Sequence, residues 1–185
     1  FIARLPTLLD PSILRQALRV VIEHHHALRL RFRRSADGEF HQYYETGPDV
    51  FDVPIHAFRL PTGDEGARLA FIKKQVAALH DSLDIDKGPV MTVGLFEDPA
   101  GTNHHLFFTM HELVTDAMSL QITLEDLRTA YTALAADRRP VLPARTTPFH
   151  QWVDRVVDYT RGPAAEAQWA YWLEQARDVR PFPED

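Results

Sequence analysis

A chain of 185 residues with 45% hydrophobic and 25% charged side chains has globular composition, and a chain of this size buries about two-thirds of its unfolded surface without disulfides or structural metal. With 20 basic against 26 acidic residues the net charge is −6, and the missing basic stripe argues against nucleic acid as a partner. Cysteine is absent, which excludes disulfides, thiolate chemistry and cysteine-ligated zinc and suits a reducing cytoplasm, and no apolar run approaches the roughly 20 residues of a membrane span. The sequence opens on Phe1 with no Met and no basic-then-apolar leader, so it reads as an excerpt of something longer.

Taken in chain order, residues 10–28 are expected to form a helix. Asp10 can cap it, Pro11 suits the first turn, and Ile13, Leu14, Ala17, Leu18, Val21, Ile22 and Leu28 form one apolar face. Extended segments follow at 29–34, 39–45 and 51–60, with Asp37-Gly38 as a hairpin turn between the first two. After a loop at 61–66, Leu69, Ile72, Val76, Leu79 and Leu83 recur at helical intervals. Gly88-Pro89 ends that pattern. Two strand-like runs, 90–97 and 104–111, flank a turn at 98–101.

From Ala117 the period returns to that of a helix, with Leu120, Leu124, Leu127, Tyr131 and Leu134 on one face. A proline-punctuated connection at 138–148 leads to a helix carrying Phe149, Trp152, Val153, Val156 and Val157. A last helix after Gly162-Pro163 carries Trp169, Trp172 and Leu173, and these Leu/Trp stripes are read as core. Residues 180–185 read as a linker. The fold class is α+β, one layer of helices against one mixed sheet.

The 10 histidines set the first functional question. His24, His25 and His26 are consecutive on the expected first helix, so their side chains point about 100° apart and do not converge on one ion. Imidazoles meeting the last carbonyls of a helix is the plainer reading. On the strand at 104–111, His105, Phe107, Thr109 and His111 share one face, and His104, Leu106, Phe108, Met110 and Glu112 the other.

The segment from Thr109 to Ala117 stands where a strand ends and a long helix begins, a position that often presents polar side chains to a cleft. Its His111-Glu112 pair starts the zinc-protease pattern H-E-x-x-H, but the second histidine would be Thr115. A structural reading has His111, Glu112 and Asp116 satisfying a helix N-terminus, with Asp116 as cap.

A third reading comes from resemblance. The segment is similar to the H-H-x-x-x-D-G signature of the condensation-domain superfamily of nonribosomal peptide synthetases, with His111 at the first histidine, Glu112 at the second, Asp116 at the aspartate and Ala117 at the glycine. The flanks agree in order. Residues 23–32 (EHHHALRLRF) resemble the early H-x-x-L-R-x-x-F motif, residues 83–90 (LDIDKGPV) the stretch before a core strand, and Tyr171-Trp172 the aromatic pair late in the first lobe. Residues 119–131 and 142–149, with Trp152, are most similar to epimerization domains.

The resemblance implies a chloramphenicol-acetyltransferase-like lobe over residues 1–179, the N-terminal half of a two-lobed domain whose C-terminal lobe is not in this sequence. It implies a peptidyl carrier protein as partner, its phosphopantetheine arm bearing aminoacyl or peptidyl thioesters, and no cofactor or metal bound by the chain itself. It makes the position of Glu112 the catalytic one, His111 structural, Arg29 and Asp116 an ion pair bracing the turn, and Ala117 a lining of the tunnel between lobes. Leu120 and Gln121 stand where epimerization domains usually have Trp-Arg. An ordinary carboxylate is a weaker base than imidazole near neutrality, so the expectation is impaired catalysis. The alternative is a non-catalytic platform that recruits a carrier protein or a tailoring enzyme.

Overall fold

The computed structural model describes residues 1–101 and 104–177. Contacts divide the chain into two units, Phe1–Ala144 and Arg145–Asp185. The linker expected at 180–185 lies outside the described residues.

In the first unit, β1 (Ile2–Leu5) precedes α1 (Pro11–His24), β2 (Leu30–Arg34), β3 (Phe40–Tyr44) and β4 (Ile55–Arg59). Then come α2 (Glu65–Asp81), β5 (Met91–Glu97), β6 (His104–Met110) and α3 (Ala117–Ala135). The main sheet has the order β1-β6-β5-β4, with β4 and β5 parallel and the other pairs antiparallel. The α+β class and the mixed sheet stand as read. Strands β2 and β3 form a separate hairpin whose last pair, Arg34 and Phe40, flanks the Asp37-Gly38 turn.

Helices cover both faces of the main sheet, not one as the residue pattern suggested. Leu106, Phe108 and Met110 of β6 join Val93 and Leu95 of β5 in a core with Leu14, Leu18 and Ile22 of α1 and Leu127 and Ala130 of α3. On the opposite face Phe96 and Phe107 pack with Leu60 and with Leu79 of α2. A strand covered on both faces reads as a nearly unbroken apolar run. The segment from Val90 to Phe96 is such a run, and every residue in it is buried. A Cβ on Gly94 would stand 2.9 Å from Leu79 Cδ1, so the bare backbone lets α2 approach the sheet.

Two boundaries differ from the sequence reading. The first helix ends at His24, not at residue 28, because His25 adopts extended backbone (φ −98°, ψ 99°) and a 3₁₀ turn, His26–Arg29, takes over. Its start is as expected, with Asp10 Oδ1 accepting from the Ser12 and Ile13 amides. The run at 51–60 opens with a 3₁₀ turn, Pro48–Phe51, and only Ile55–Arg59 is strand. Strand β1 has too few residues to show a period, and only its pairing with β6 defines it.

The second unit contains α4 (Phe149–Thr160) and α5 (Pro163–Ala176). Neither helix has a buried residue. Trp152, Trp169 and Trp172 are 55%, 67% and 59% exposed, which corrects the reading of these stripes as core. An amphipathic face shows which side chains favour burial, and burial itself needs an opposing surface.

Candidate active-site turn

Strand β6 runs antiparallel to β5 with Met110 opposite Met91, and the His111 amide continues the ladder by donating to the Val90 carbonyl (2.9 Å). The face alternation read from the sequence holds through Met110. Leu106, Phe108 and Met110 enter the α1–α3 core, while Thr109 lies 3.2 Å from His80 of α2. It stops there, because residues 112–114 form a 3₁₀ turn and the two-residue period of a strand no longer applies to Glu112.

The turn is held by its own backbone amides. His111 caps it, its Nδ1 accepting from the Leu113 amide (3.2 Å), while Val114 is buried beneath. Asp116 caps α3, its Oδ1 accepting from the Ser119 amide (2.7 Å). Hydrogen bonds from the Ser119 amide, then from its side chain, hold the Asp116 carboxyl below the usual aspartate range. Glu112 lies exposed between these caps and makes no hydrogen bond or ion pair among the described residues. His111, Glu112 and Asp116 thus share one short segment.

The expected Arg29–Asp116 ion pair is not formed. Asp116 uses its carboxylate as a helix cap, whereas Arg29 places its guanidinium 5.8 Å from the centre of the Phe51 ring. The Arg29 Nε is buried with no hydrogen-bond partner. The 3₁₀ turn at His26–Arg29 carries this side chain toward the Pro48–Phe51 turn.

The helices α1 and α3 are joined by a different pair. His25 Nε2 lies 2.7 Å from Asp126 Oδ2, and Asp126 is 5% exposed. Sequence reasoning passed over Asp126. A usable signal existed, since it sits beside Thr123, Leu127 and Ala130 on the buried face of α3, where a carboxylate needs a partner.

Two hollows flank these elements. One of about 580 Å³ is lined by Leu5, Leu14, Leu106, Ala117, Leu120 and Leu124 among others, and is mostly apolar. Ala117 and the Leu120-Gln121 pair therefore face a space bounded by β1, β6 and α3 within this unit. The other, about 410 Å³, is lined by the buried Arg31 with Glu45, Lys87 and Gly88. Arg31 Nη1 donates to the Leu30 carbonyl (2.8 Å), and burial lowers its pKa against the opposing pull of Glu45, Tyr43 and Asp84. Its guanidinium lies so close to Gly88 that a Cβ there would be 2.5 Å from Nη2.

The family described as Condensation domain matches residues 1–185. The chain is 35% identical over 179 residues to a linear gramicidin synthase of Brevibacillus parabrevis, covering 95% of this chain and 2% of that protein. It is 29% identical over 181 residues to surfactin synthase subunit 1 of Bacillus subtilis (strain 168), covering 95% of this chain and 5% of that protein. Among solved structures, the epimerization domain from the third module of tyrocidine synthetase B superposes with a TM-score of 0.85 at 26% identity, over 98% of this chain and 40% of that one. The first condensation domain of the calcium-dependent antibiotic synthetase, at 24% identity and a TM-score of 0.76, shares the fold over 43% of its length. The chain therefore spans a small part of each synthetase and less than half of each solved chain.

Proposed function

Because the chain belongs to the condensation-domain family of nonribosomal peptide synthetases, we propose that it is the N-terminal lobe of an epimerization-like domain that engages carrier-bound aminoacyl or peptidyl thioesters with impaired chemistry. The feature that carries this reading is Glu112 in the turn between β6 and α3, at the position that the resemblance aligns with the second histidine of the family motif. The likeness to the epimerization domain of tyrocidine synthetase B, at a TM-score of 0.85, supports the subclass.

The chemistry at that position is assistance of amine attack on a thioester or removal of the α-proton of the bound residue. Either needs a base of matched pKa within hydrogen-bond reach of the reacting proton. A carboxylate fills this role less well than an imidazole for two reasons. Its ordinary pKa lies about two units lower. It also carries no positive charge after accepting the proton, whereas imidazolium stabilises the enolate left by proton removal, an effect often worth a few kcal/mol. His111 is committed to capping the turn and Asp116 to capping α3, so both hold the backbone that presents residue 112. The substrate arm is the phosphopantetheine of a peptidyl carrier protein, and the second wall of the tunnel is the C-terminal lobe. A cytoplasmic location goes with this assignment, and no helix among the described residues is long and apolar enough to cross a membrane.

The departures at Glu112, Ala117 and Leu120 favour a second reading, a lobe retained as a platform for a carrier protein or a tailoring enzyme. One experiment separates the two. The full-length parent is offered a carrier-loaded peptidyl substrate, and α-proton exchange and peptide-bond formation are followed by mass spectrometry. Slow turnover that Glu112→Gln abolishes and Glu112→His raises supports the impaired enzyme. Tight carrier or tailoring-enzyme binding without turnover, unchanged by Glu112→Gln, supports the platform and rejects the catalytic assignment.

A further inference from the structure

The helix boundary at His24 changes what the consecutive histidines can do. His24 closes α1 and His25 is its C-cap in extended backbone, so the 100° step of a continuing helix no longer separates them. Their rings stand edge to face with centroids 4.9 Å apart. Asp126, from the middle of α3, reaches His25 Nε2 with Oδ2 at 2.7 Å. One ligand-capable atom from each of His24, His25 and Asp126 lies within 4.8 Å of the other two.

We propose that His24, His25 and Asp126 form a binding site for a divalent transition-metal cation of the zinc type. Two imidazole nitrogens and one carboxylate oxygen are a normal three-ligand set for zinc, with water at the fourth position. The carboxylate is buried, so its charge is poorly screened and favours a cation brought beside it. The donors need to draw together to close on an ion. Two ligands bound at about 2.1 Å in tetrahedral geometry stand about 3.4 Å apart, so a separation of 4.8 Å has to shrink by about 1.4 Å, a movement that side-chain rotation supplies. The His25–Asp126 contact has to open from 2.7 Å to about that same spacing as the ion takes the place of the hydrogen bond, the neutral imidazole carrying its ring proton on the nitrogen that does not bind the ion.

The role of such an ion is to fasten α1 to α3. Asp126 stands about 15 Å along α3 from Asp116 at 1.5 Å of rise per residue, away from the reacting position. This inference does not depend on the catalytic assignment of Glu112.

The test is calorimetric titration of the untagged chain with zinc chloride near pH 7.5, with cobalt(II) absorption as a second readout. A saturable single site is expected, with cobalt(II) bands of low coordination number. His24→Ala keeps the His25–Asp126 pair and should weaken binding at least as much as the roughly 10–100-fold seen for outer-shell changes. His41→Ala, an exposed histidine of β3, should leave the affinity unchanged. Far-UV circular dichroism checks that each variant stays folded. Absence of saturable binding by the parent overturns the proposal. So does a His24→Ala variant that binds like the parent, or an equal loss in His41→Ala, which marks binding as adventitious surface chelation.

Discussion

Helices α1 and α4 are both amphipathic, yet their apolar faces have opposite fates. In α1, Leu14, Ala17, Leu18, Val21 and Ile22 are each no more than 1% exposed. In α4 no residue is buried, and Phe149, Trp152, Val156 and Val157 all remain open to solvent. Hydrophobic stabilisation scales with the area removed from water, so equal patterns contribute unequally until a surface covers them. The buried core of the described residues lies in the first unit.

That contrast is sharpest in the core. Phe108 is 0% exposed between the β5–β6 pairing and the α1–α3 layer. Phe108→Ala should cost about 3–5 kcal/mol, the usual range for truncating a buried aromatic. Urea unfolding of the chain measures it, and a loss below about 1 kcal/mol would break the assignment of the core to this unit.

Gly88→Ala should come next, at about 1–3 kcal/mol. Its φ of +82° is unfavourable for a side chain, and the new methyl group would meet the Arg31 guanidinium at 2.5 Å. Gly88→Ala combined with Arg31→Met should recover the packing part of the loss and leave the backbone part, as a double-mutant cycle reports.

Asp116→Ala removes the cap of α3 and should lower the melting temperature by less. The sign of its pH dependence follows from the depressed pKa of Asp116 in the folded chain. A lowered folded-state pKa contributes stability above the unfolded value, near 3.9, that is lost as pH falls through the folded value. Parent and variant should therefore differ at pH 7 and converge in strong acid. A difference that grows on acidification would defeat the capping role.

The smallest effect belongs to the second unit. Trp172→Ala, at a side chain 59% exposed, should change stability by less than about 0.5 kcal/mol. If it instead destabilises the chain as a core truncation does, the contrast between a covered and an open apolar face fails.

Much of the fold was legible because local patterns and tertiary packing agreed. The Asp10 cap, the α2 and α3 periodicities and the β5–β6 strands all appear close to where the residues placed them. The misses share a cause. The end of α1 at His24, the second helical layer over the sheet and the exposed tryptophans each depend on a partner distant in sequence. For the site, His111, Glu112 and Asp116 were legible as one segment. Arg29 was assigned to Asp116, which in the structure satisfies the amides of its own helix.

By itself the sequence determined that this is an α+β chain of the condensation family, because motif identity and periodicity are local properties. Only the tertiary structure decided which apolar faces are covered and which carboxylate faces which base. Asp126 meets His25 across 101 residues of sequence, and a buried charge takes the partner that folding brings within reach.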